Sequence, residues 1–404
     1  MILLIYRLGN AIPVPYVDVA ALSSYLESMS TTVLGLYNVM SGGAFADATV
    51  FALSIQPYIN ASIIIQLLTV AIPALERMAR EEGEEGRKKI ASITRYTTVA
   101  IALIQGFAYY MLMRNQYNIL TNDSIAAAFV IIITFVAGSA FIMWLGEQIT
   151  EFGIGNGISI ILFASIISRI PAGVSTMYTN RETLGVVGLV AIVVGLLALV
   201  ILIAHVYNAE RRIPVQYAKR QVGRRMYGGQ NTTLPVKVNM SGVLPIIFAQ
   251  SIAMLPATIA AFLPAPEQGT FWYGFIQAID TKSVLYMIAY FLMIIGFSYF
   301  YATIQFNPTE IANNLKRNGG FIPGFRPGKP TADFIAKVLS RITLFGAIYL
   351  GIVAIAPLIA GKFIDLQGLA IGGTSIIIVV GVALETVKAL ENQMLARQYK
   401  GFLE

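Results

Sequence analysis

Long apolar stretches, each of the length needed to cross a bilayer as a helix, dominate this chain of 404 residues. A membrane-spanning helix needs about 20 mostly apolar residues. Nine stretches qualify, at residues 55–75, 96–113, 124–144, 157–176, 184–206, 241–261, 284–304, 340–360 and 368–388. Because unpaired backbone groups are not tolerated in lipid, such continuous apolar stretches fold as helices. The sequence therefore predicts an all-α polytopic membrane protein.

The composition indicates the same class of protein. Apolar residues make up 56% of the chain and charged residues only 12%, against roughly 25% charged in soluble domains. So few charges cannot cover that much apolar surface in water. The chain has no cysteine and a single histidine. These counts exclude disulfides and cysteine nucleophiles and argue against a histidine metal centre.

The basic residues divide the loops into two groups. About twenty Lys and Arg lie in one group, which comprises loops 76–95, 145–156, 207–240 and 305–339 and the tail after 388. The loops on the other side hold only Arg7, Arg114, Arg181, Lys282 and Lys362. The first group is therefore expected in the cytoplasm. This bias accounts for much of the net charge of +7 without a nucleic-acid partner. Ribosomal RNA is kept as an alternative partner of the basic loops.

The start of the chain bears on the number of spans. Nine spans that end in the cytoplasm put residues 11–54 outside, and residues 1–10 are too few to cross. We expect them to be the outer end of a further, truncated span. That gives ten spans with both termini in the cytoplasm. The alternative is a short interfacial anchor.

Residues 41–53 are small and mildly apolar and precede Gln56-Pro57. As a helix they would reach only about 20 Å, which is too short to cross a bilayer. A short helix that folds into a cavity from outside fits this segment. A loop that lies on the membrane surface fits it equally well.

Two similar segments suggest an internal repeat. Residues 155–161 open the fifth of the ten expected spans, and residues 372–378 open the tenth. One of these spans starts inside and the other outside, which is typical of two inverted halves around a central path. We expect the halves to be residues 1–176 and 177–404, with five helices each.

The spans carry few groups that could do chemistry. No Asp, Glu, Lys, Arg or His lies centrally in any predicted span. Ion-coupled transporters and intramembrane proteases need such groups, so both classes are disfavoured. One face of the first stretch reads Ile55, Ile59, Ser62, Gln66 and Thr69 at helical spacing. It fits either a wet vestibule that narrows to an apolar constriction or polar contacts between neighbouring helices.

Ten ordered segments resemble those of the SecY family of bacterial protein-conducting channels. They are residues 6–9, 12–15, 41–45, 57–64, 153–157, 217–220, 237–240, 311–316, 324–330 and 372–375. The resemblance covers nearly the whole chain. The family's cytoplasmic N-terminal stretch and full first span are mostly missing here.

The resemblance implies a ten-span fold with an hourglass pore and assigns roles to its parts. The pore ring is expected at Ile55, Ile59, Ile158, Leu162, Ile247 and Ile378. The plug is expected at residues 41–53, beginning with Ser41, Gly42, Gly43, Ala44 and Phe45. A lateral gate is expected between the second and third spans and the seventh and eighth, with Gln66 and Gln250 as its polar contacts.

The resemblance also implies partners for the basic loops. In the family such loops dock the SecA motor ATPase and the ribosome. The residues expected to do so are Arg211, Arg212, Lys219, Arg220, Arg224, Arg225, Lys316, Arg317, Arg326 and Lys329. SecE and SecG subunits are implied as well. From the residues alone, these loops are only positively charged cytoplasmic loops.

The function expected is a channel subunit of the Sec translocon in a bacterial plasma membrane. It would pass unfolded preproteins and release signal sequences and membrane helices laterally into lipid. No catalytic residue, metal or cofactor is expected, so the energy would come from the partners. The alternative is a secondary transporter of a small solute built on inverted repeats. A third alternative, a membrane-bound enzyme, is not supported by any set of catalytic residues in the sequence.

Overall fold

The structure is a computed structural model and describes most of the chain. The described residues are 1–28, 33–80, 83–115, 119–179, 181–217, 220–222, 225–227, 231–240, 242–262, 274–275, 283–363 and 373–400. Within the described residues, nine helices precede residue 180: α1 (Ile2–Gly9), α2 (Val19–Ser28), α3 (Val33–Met40), α4 (Gln56–Ala71), α5 (Pro73–Arg80), α6 (Gly83–Asn115), α7 (Ile125–Phe152), α8 (Gly157–Ile167) and α9 (Ile170–Thr179).

The remainder of the described chain contains six helices and five strands. The helices are α10 (Arg181–Asn208), α11 (Leu244–Phe262), α12 (Val284–Gln305), α13 (Pro308–Arg317), α14 (Lys329–Phe363) and α15 (Gly373–Lys400). The strands are β1 (Glu210–Tyr217), β2 (Arg220–Val222), β3 (Arg225–Tyr227), β4 (Asn231–Lys237) and β5 (Gly320–Phe321).

Six stretches of helix are long and apolar enough to cross a bilayer, counting only the described residues. They are Gly83–Asn115, Ile125–Phe152, Gly157–Thr179, Gly188–Asn208, Val284–Arg317 and Lys329–Ile359. The segment predicted at 241–261 forms α11, whose apolar part, Leu244–Pro256, is shorter than a full span. The stretch 368–388 begins outside the described residues. The polytopic helical class is confirmed, and the count of ten spans stays a prediction.

The first predicted span, 55–75, is sharply bent in the structure. α4 ends at Ala71, α5 begins at Pro73, and their axes differ by 106°. Ile72 between them is extended, with φ −108° and ψ 113°, because the residue before a proline is disfavoured in the helical region. The 16 residues of α4 therefore reach about 24 Å. If the bent pair counts as one span, the described residues hold seven.

Apolar side chains from both halves of the sequence form a central core. It draws on α4, α7 and α8 and on α11, α12, α14 and α15. A second core joins α2, α3, α6 and α7 with part of the segment 41–53. The central core contains the side chains that the sequence predicts for the pore ring.

The basic loops contain a small sheet that the sequence did not predict. β1 pairs antiparallel with β4, from Glu210 opposite Lys237 to Gln216 opposite Asn231, and with β5 at its other edge. Ile213 and Val215 of β1 are buried against α13 and α14. The intervening side chains face outward, as alternation along a strand requires. The loops 207–240 and 305–339 thus share one small core.

Candidate functional site

The six side chains of the expected pore ring belong to one apolar cluster. The set comprises Ile55 just before α4, Ile59 in α4, Ile158 and Leu162 in α8, Ile247 in α11 and Ile378 in α15. Five of them are buried and Ile158 is half-buried. Elements that are more than 300 residues apart in the chain therefore converge at this point.

Gly146 of α7 lies beneath two of these side chains. A Cβ atom at Gly146 would lie 3.5 Å from Ile55 Cδ1 and 3.8 Å from Ile158 Cγ1. Both isoleucines therefore pack directly over the backbone of α7. A larger residue at Gly146 would compete with them for the same space.

The start of α8 is fixed by side-chain capping. Asn156 Oδ1 accepts hydrogen bonds from the backbone N–H groups of Ile158 (3.0 Å) and Ser159 (3.3 Å). Thr150 Oγ1 accepts one from the N–H of Gly157 at 2.9 Å. An N-cap of this kind satisfies groups that a helix start would otherwise leave unpaired. It also sets the orientation of Ile158 in the first turn.

The segment 41–53 is neither a short helix nor a surface loop, so both interpretations of its sequence are wrong. It is a series of turns, and residues 41–46, which include Ser41, Gly42, Gly43, Ala44 and Phe45, are all buried. The turns follow from paired glycines and from local bonds, such as that from the N–H of Phe45 to Ser41 Oγ (3.1 Å). The side chain of Phe51 joins the same cluster as the ring residues.

Two tyrosines hold this segment in place. The Tyr109 hydroxyl of α6 donates to the carbonyl oxygen of Phe45, and the two rings stack with centroids 4.3 Å apart. The Tyr37 hydroxyl of α3 donates to the carbonyl oxygen of Leu53 at 3.1 Å. Burial raises the pKa of Tyr37 above its ordinary value, so this hydroxyl stays a donor. Each end of the segment is thereby tied to a helix.

The middle of the segment pairs with the chain that follows α1. The N–H of Val14 donates to the carbonyl of Ala48 (2.9 Å), and that of Val50 donates to the carbonyl of Ile12 (3.0 Å). The carbonyl oxygen of Val50 also lies against Gly138 of α7, where a Cβ atom would overlap it. The segment therefore fits its site through backbone contacts that depend on a glycine.

Gln66 connects two helices on opposite sides of the expected lateral gate. Its Oε1 accepts a hydrogen bond from the Tyr301 hydroxyl of α12, and its Nε2 donates to Ser62 Oγ at 3.3 Å. Gln250 of α11 is buried, and its Oε1 has no hydrogen-bond partner within the described part of the chain. The structure thus pairs Gln66 with Tyr301 rather than with Gln250.

Tyr301 is not among the residues expected at the gate, although the sequence carries a signal for it. Ser298 and Tyr301 recur at helical spacing and are both buried. They form a short polar stripe like that of Ser62 and Gln66. Two such stripes in otherwise apolar helices indicate faces that meet.

The basic residues expected to dock partners are exposed wherever their side chains are described. Arg211 and Arg212 are exposed on β1, and Arg212 Nε lies 2.7 Å from Glu210 Oε1. Lys316 and Arg317 are exposed in the last turn of α13, as are Arg326 and Lys329 just before or at the start of α14. Lys219 and Arg224 lie outside the described residues. Arg220 and Arg225 fall in β2 and β3, where only the backbone is described.

No metal-binding arrangement is evident in the described residues. They contain no group of three or more His, Asp or Glu side chains that could hold a metal ion. The described residues instead provide a buried apolar cluster, a buried segment next to it and a polar contact between two helices. These are parts that could close and open a path through a membrane.

Comparisons with known proteins point to one family. A family model described as SecY matches residues 49–387. The chain is 44% identical to the protein translocase subunit SecY of Streptomyces scabiei, 43% to that of Mycobacterium bovis and 42% to that of Halalkalibacterium halodurans. These alignments cover 100% of this chain and 94%, 95% and 95% of the three relatives.

Solved structures with a similar fold are also channels. A structure described as that of a protein conducting channel matches with a TM-score of 0.70 and 18% identity. Sec61 from a canine ribosome-channel complex matches with a TM-score of 0.64 and 16% identity. Each match covers 98% of this chain and 91% of the other. At such identities these two likenesses describe the fold.

Proposed function

Because this chain belongs to the SecY family, it is a protein-conducting channel subunit of the Sec translocon, and we propose how its residues close and open that channel. As such a subunit it passes unfolded preproteins across the membrane and releases signal sequences and membrane helices into lipid. A solute transporter, the alternative that the sequence left open, is wrong for a chain that is 42–44% identical to translocase subunits over its whole length.

The observation that carries the proposal is the convergence of the six aliphatic side chains. We assign them to the ring that seals the channel. Water makes few hydrogen bonds in a narrow apolar ring, so the ring stays dry and blocks ions. A translocating chain displaces the side chains and fills the gap itself. Aliphatic side chains suit this role because they move aside without leaving a charge or a polar group unpaired.

The segment 41–53 acts as the plug on the outer side of the ring. The proposal is supported by its burial and by the contact of Phe51 with the ring cluster. Opening must break the hydrogen bonds from Tyr37 and Tyr109 and the backbone pairing with residues 12–14. The plug is therefore held by several weak bonds that can be broken in turn.

The contact between Gln66 and Tyr301 closes the lateral gate. It joins α4 to α12 through one neutral hydrogen bond, which contributes about 0.5–1.5 kcal/mol. A signal helix that separates α4 from α12 must replace this bond. A weak polar contact suits a gate that has to open for many different sequences.

The basic surface on β1, α13 and the start of α14 docks the partners. Support comes from its exposed Arg and Lys residues and from the similar Sec61 and Ssh1 channels, which were solved in ribosome complexes. The proposed partners are the ribosome, the SecA motor and the SecE and SecG subunits, with signal sequences and membrane lipid as further contacts. Energy comes from these partners, and the chain itself needs no catalytic residue or cofactor.

The chain is a multi-pass membrane protein, and we place it in a bacterial plasma membrane because its relatives are bacterial. Both termini lie in the cytoplasm in this proposal. The inverted halves, residues 1–176 and 177–404, meet at the ring, which takes Ile55, Ile59, Ile158 and Leu162 from the first and Ile247 and Ile378 from the second.

Reconstitution tests the proposal directly. The chain is purified with its small subunits, placed in liposomes and supplied with SecA, ATP and a preprotein. We expect the preprotein to become protected from protease. Arg326→Glu reverses an exposed charge on the docking surface and should reduce the rate without changing the amount of channel in the membrane. A native rate for Arg326→Glu would contradict the docking assignment, and no protection with the native chain would contradict the function.

A further inference from the structure

The connection between β4 and α11 is short and is held by three helices. It comprises residues 238–243, of which all but residue 241 are described. On one side it continues the sheet that carries Arg211 and Arg212. On the other it enters α11, which carries Ile247 and Gln250. Any displacement of the sheet relative to α11 must therefore pass through these few residues.

The first half of the connection is fixed by backbone contacts. The N–H of Val238 donates to the carbonyl of Ala209, just after α10, at 2.9 Å. The carbonyl oxygen of Val238 lies against α14, since a Cβ atom at Gly346 would be 2.6 Å from it. Asn239 Nδ2 donates to the carbonyl of Gly242 at 3.1 Å. The connection is therefore folded back on itself between α10 and α14.

The second half is held by a cluster that we call the inner clamp, formed by Tyr207 of α10, Gly242 and Glu385 of α15. The Tyr207 hydroxyl donates to Glu385 Oε1 at 2.6 Å. Gly242 has φ +63°, and a Cβ atom there would lie 2.5 Å from the same oxygen. A larger residue would be strained by the left-handed backbone and would have to displace the Glu385 carboxylate.

Further contacts surround the clamp. Lys388, one turn beyond Glu385, places Nζ 5.4 Å from the centroid of the Tyr207 ring. The side chain of Val243 lies against Gly381 of α15. Gly381, Glu385 and Lys388 therefore form one face of α15 that receives both Tyr207 and the start of α11.

We propose that Glu385 is a positioning residue for the gate. Its carboxylate accepts a hydrogen bond from Tyr207 of α10 and lies against Gly242, two residues before α11, so it joins the start of α11 to α10 and α15. α11 also packs against α4 in the central core, so it has contacts on both sides of the gate. Because of this clamp, α11 moves together with the second half of the chain when the gate opens. This inference rests on the gate function proposed for α4, α11 and α12.

Spin-label distances in the reconstituted channel test the proposal. The chain has no cysteine, so label pairs can be introduced without background. A clamp pair at Leu244 and Leu390 reports on α11 against α15, and a gate pair at Leu67 and Leu255 reports on α4 against α11. In the native chain a stalled preprotein should lengthen the gate distance and leave the clamp distance unchanged.

Two variants remove the clamp, and two serve as comparisons. Glu385→Ala and Tyr207→Phe should broaden the clamp distance, because the Tyr207 hydroxyl holds Glu385 Oε1 against Gly242. Losing a hydrogen bond to a charged acceptor changes an equilibrium by about tenfold or more. Glu385→Gln keeps an oxygen that can accept from Tyr207 and should stay close to native. Glu391→Ala removes an exposed carboxylate from the same helix and should change nothing.

The two label pairs test the role of Glu385 and the proposed gate function separately. A clamp distance that stays narrow in both Glu385→Ala and Tyr207→Phe would overturn the inference. If Glu385→Ala fails to fold, Tyr207→Phe decides alone, because it removes a single hydroxyl. A gate distance that does not lengthen in the native chain would contradict the gate function, while the clamp pair would still test whether Glu385 fixes α11.

Discussion

At the residue scale, the hydroxyl of Tyr301 and the amide of Gln66 form one hydrogen bond between the two helices that separate in the proposed opening of the gate. Tyr301→Phe removes this bond and keeps the ring in place. The closed gate should lose about 1 kcal/mol, which is a factor of about five in an equilibrium. A preprotein with a weakened signal sequence should therefore be translocated faster than by the native channel, by up to about fivefold.

Tyr299→Phe is the matched control for this prediction. Its hydroxyl donates to the carbonyl of Ser340 at 3.1 Å, so the variant removes a bond between α12 and α14 instead of one across the gate. It should leave the signal requirement unchanged. Equal rates for Tyr301→Phe, Tyr299→Phe and the native chain would show that the Gln66 contact does not close the gate.

At the element scale, the segment 41–53 is held by contacts that can be removed one at a time. Tyr109→Phe deletes the hydrogen bond to the Phe45 carbonyl and preserves the stacked rings. The plug should leave its site more often, and brief ion-conducting events should become more frequent in planar bilayers. Tyr96→Phe alters an exposed tyrosine of the same helix and should have no effect. If neither variant changes the event frequency, Tyr109 does not retain the plug.

The helices, turns and strands differ in how well the sequence predicts them. The length of the apolar stretches was enough to locate α6, α7, α12 and α14, because few folds other than membrane-spanning helices contain such long apolar stretches. It could not give the bend at Pro73 or the turns of residues 41–53, since both depend on local backbone geometry. The sheet of the basic loops was missed because β1 is stabilised by distant residues of α13 and α14.

Only part of the candidate site could be predicted from the sequence. The family resemblance gave the ring positions, and the structure places all six in one cluster. Tyr301 and the clamp of Tyr207 and Glu385 were not predicted. Each pairs residues more than 170 positions apart, and a single sequence gives no measure of such distances.

At the scale of the whole molecule, α4, α8, α11 and α15 all contribute side chains to the central core, and the proposed ring takes its residues from them or from just before α4. In this proposal the plug contacts the ring through Phe51, the gate helices carry Ile59 and Ile247, and the inner clamp holds α11 at one end. A defect in the ring should therefore affect the closed state more than any single outer contact does.

Resting ion conductance of single channels in planar bilayers is the measurement that tests this account most directly. Ile247→Asn and Ile378→Asn place a polar amide in the ring, which should admit water and raise conductance without any preprotein. Ile201→Asn makes the same change on α10 at a side chain that is 69% exposed and outside the ring cluster, and it should conduct like the native channel. Equal resting conductance in the native chain, Ile247→Asn and Ile378→Asn would contradict the assignment of these residues to the seal.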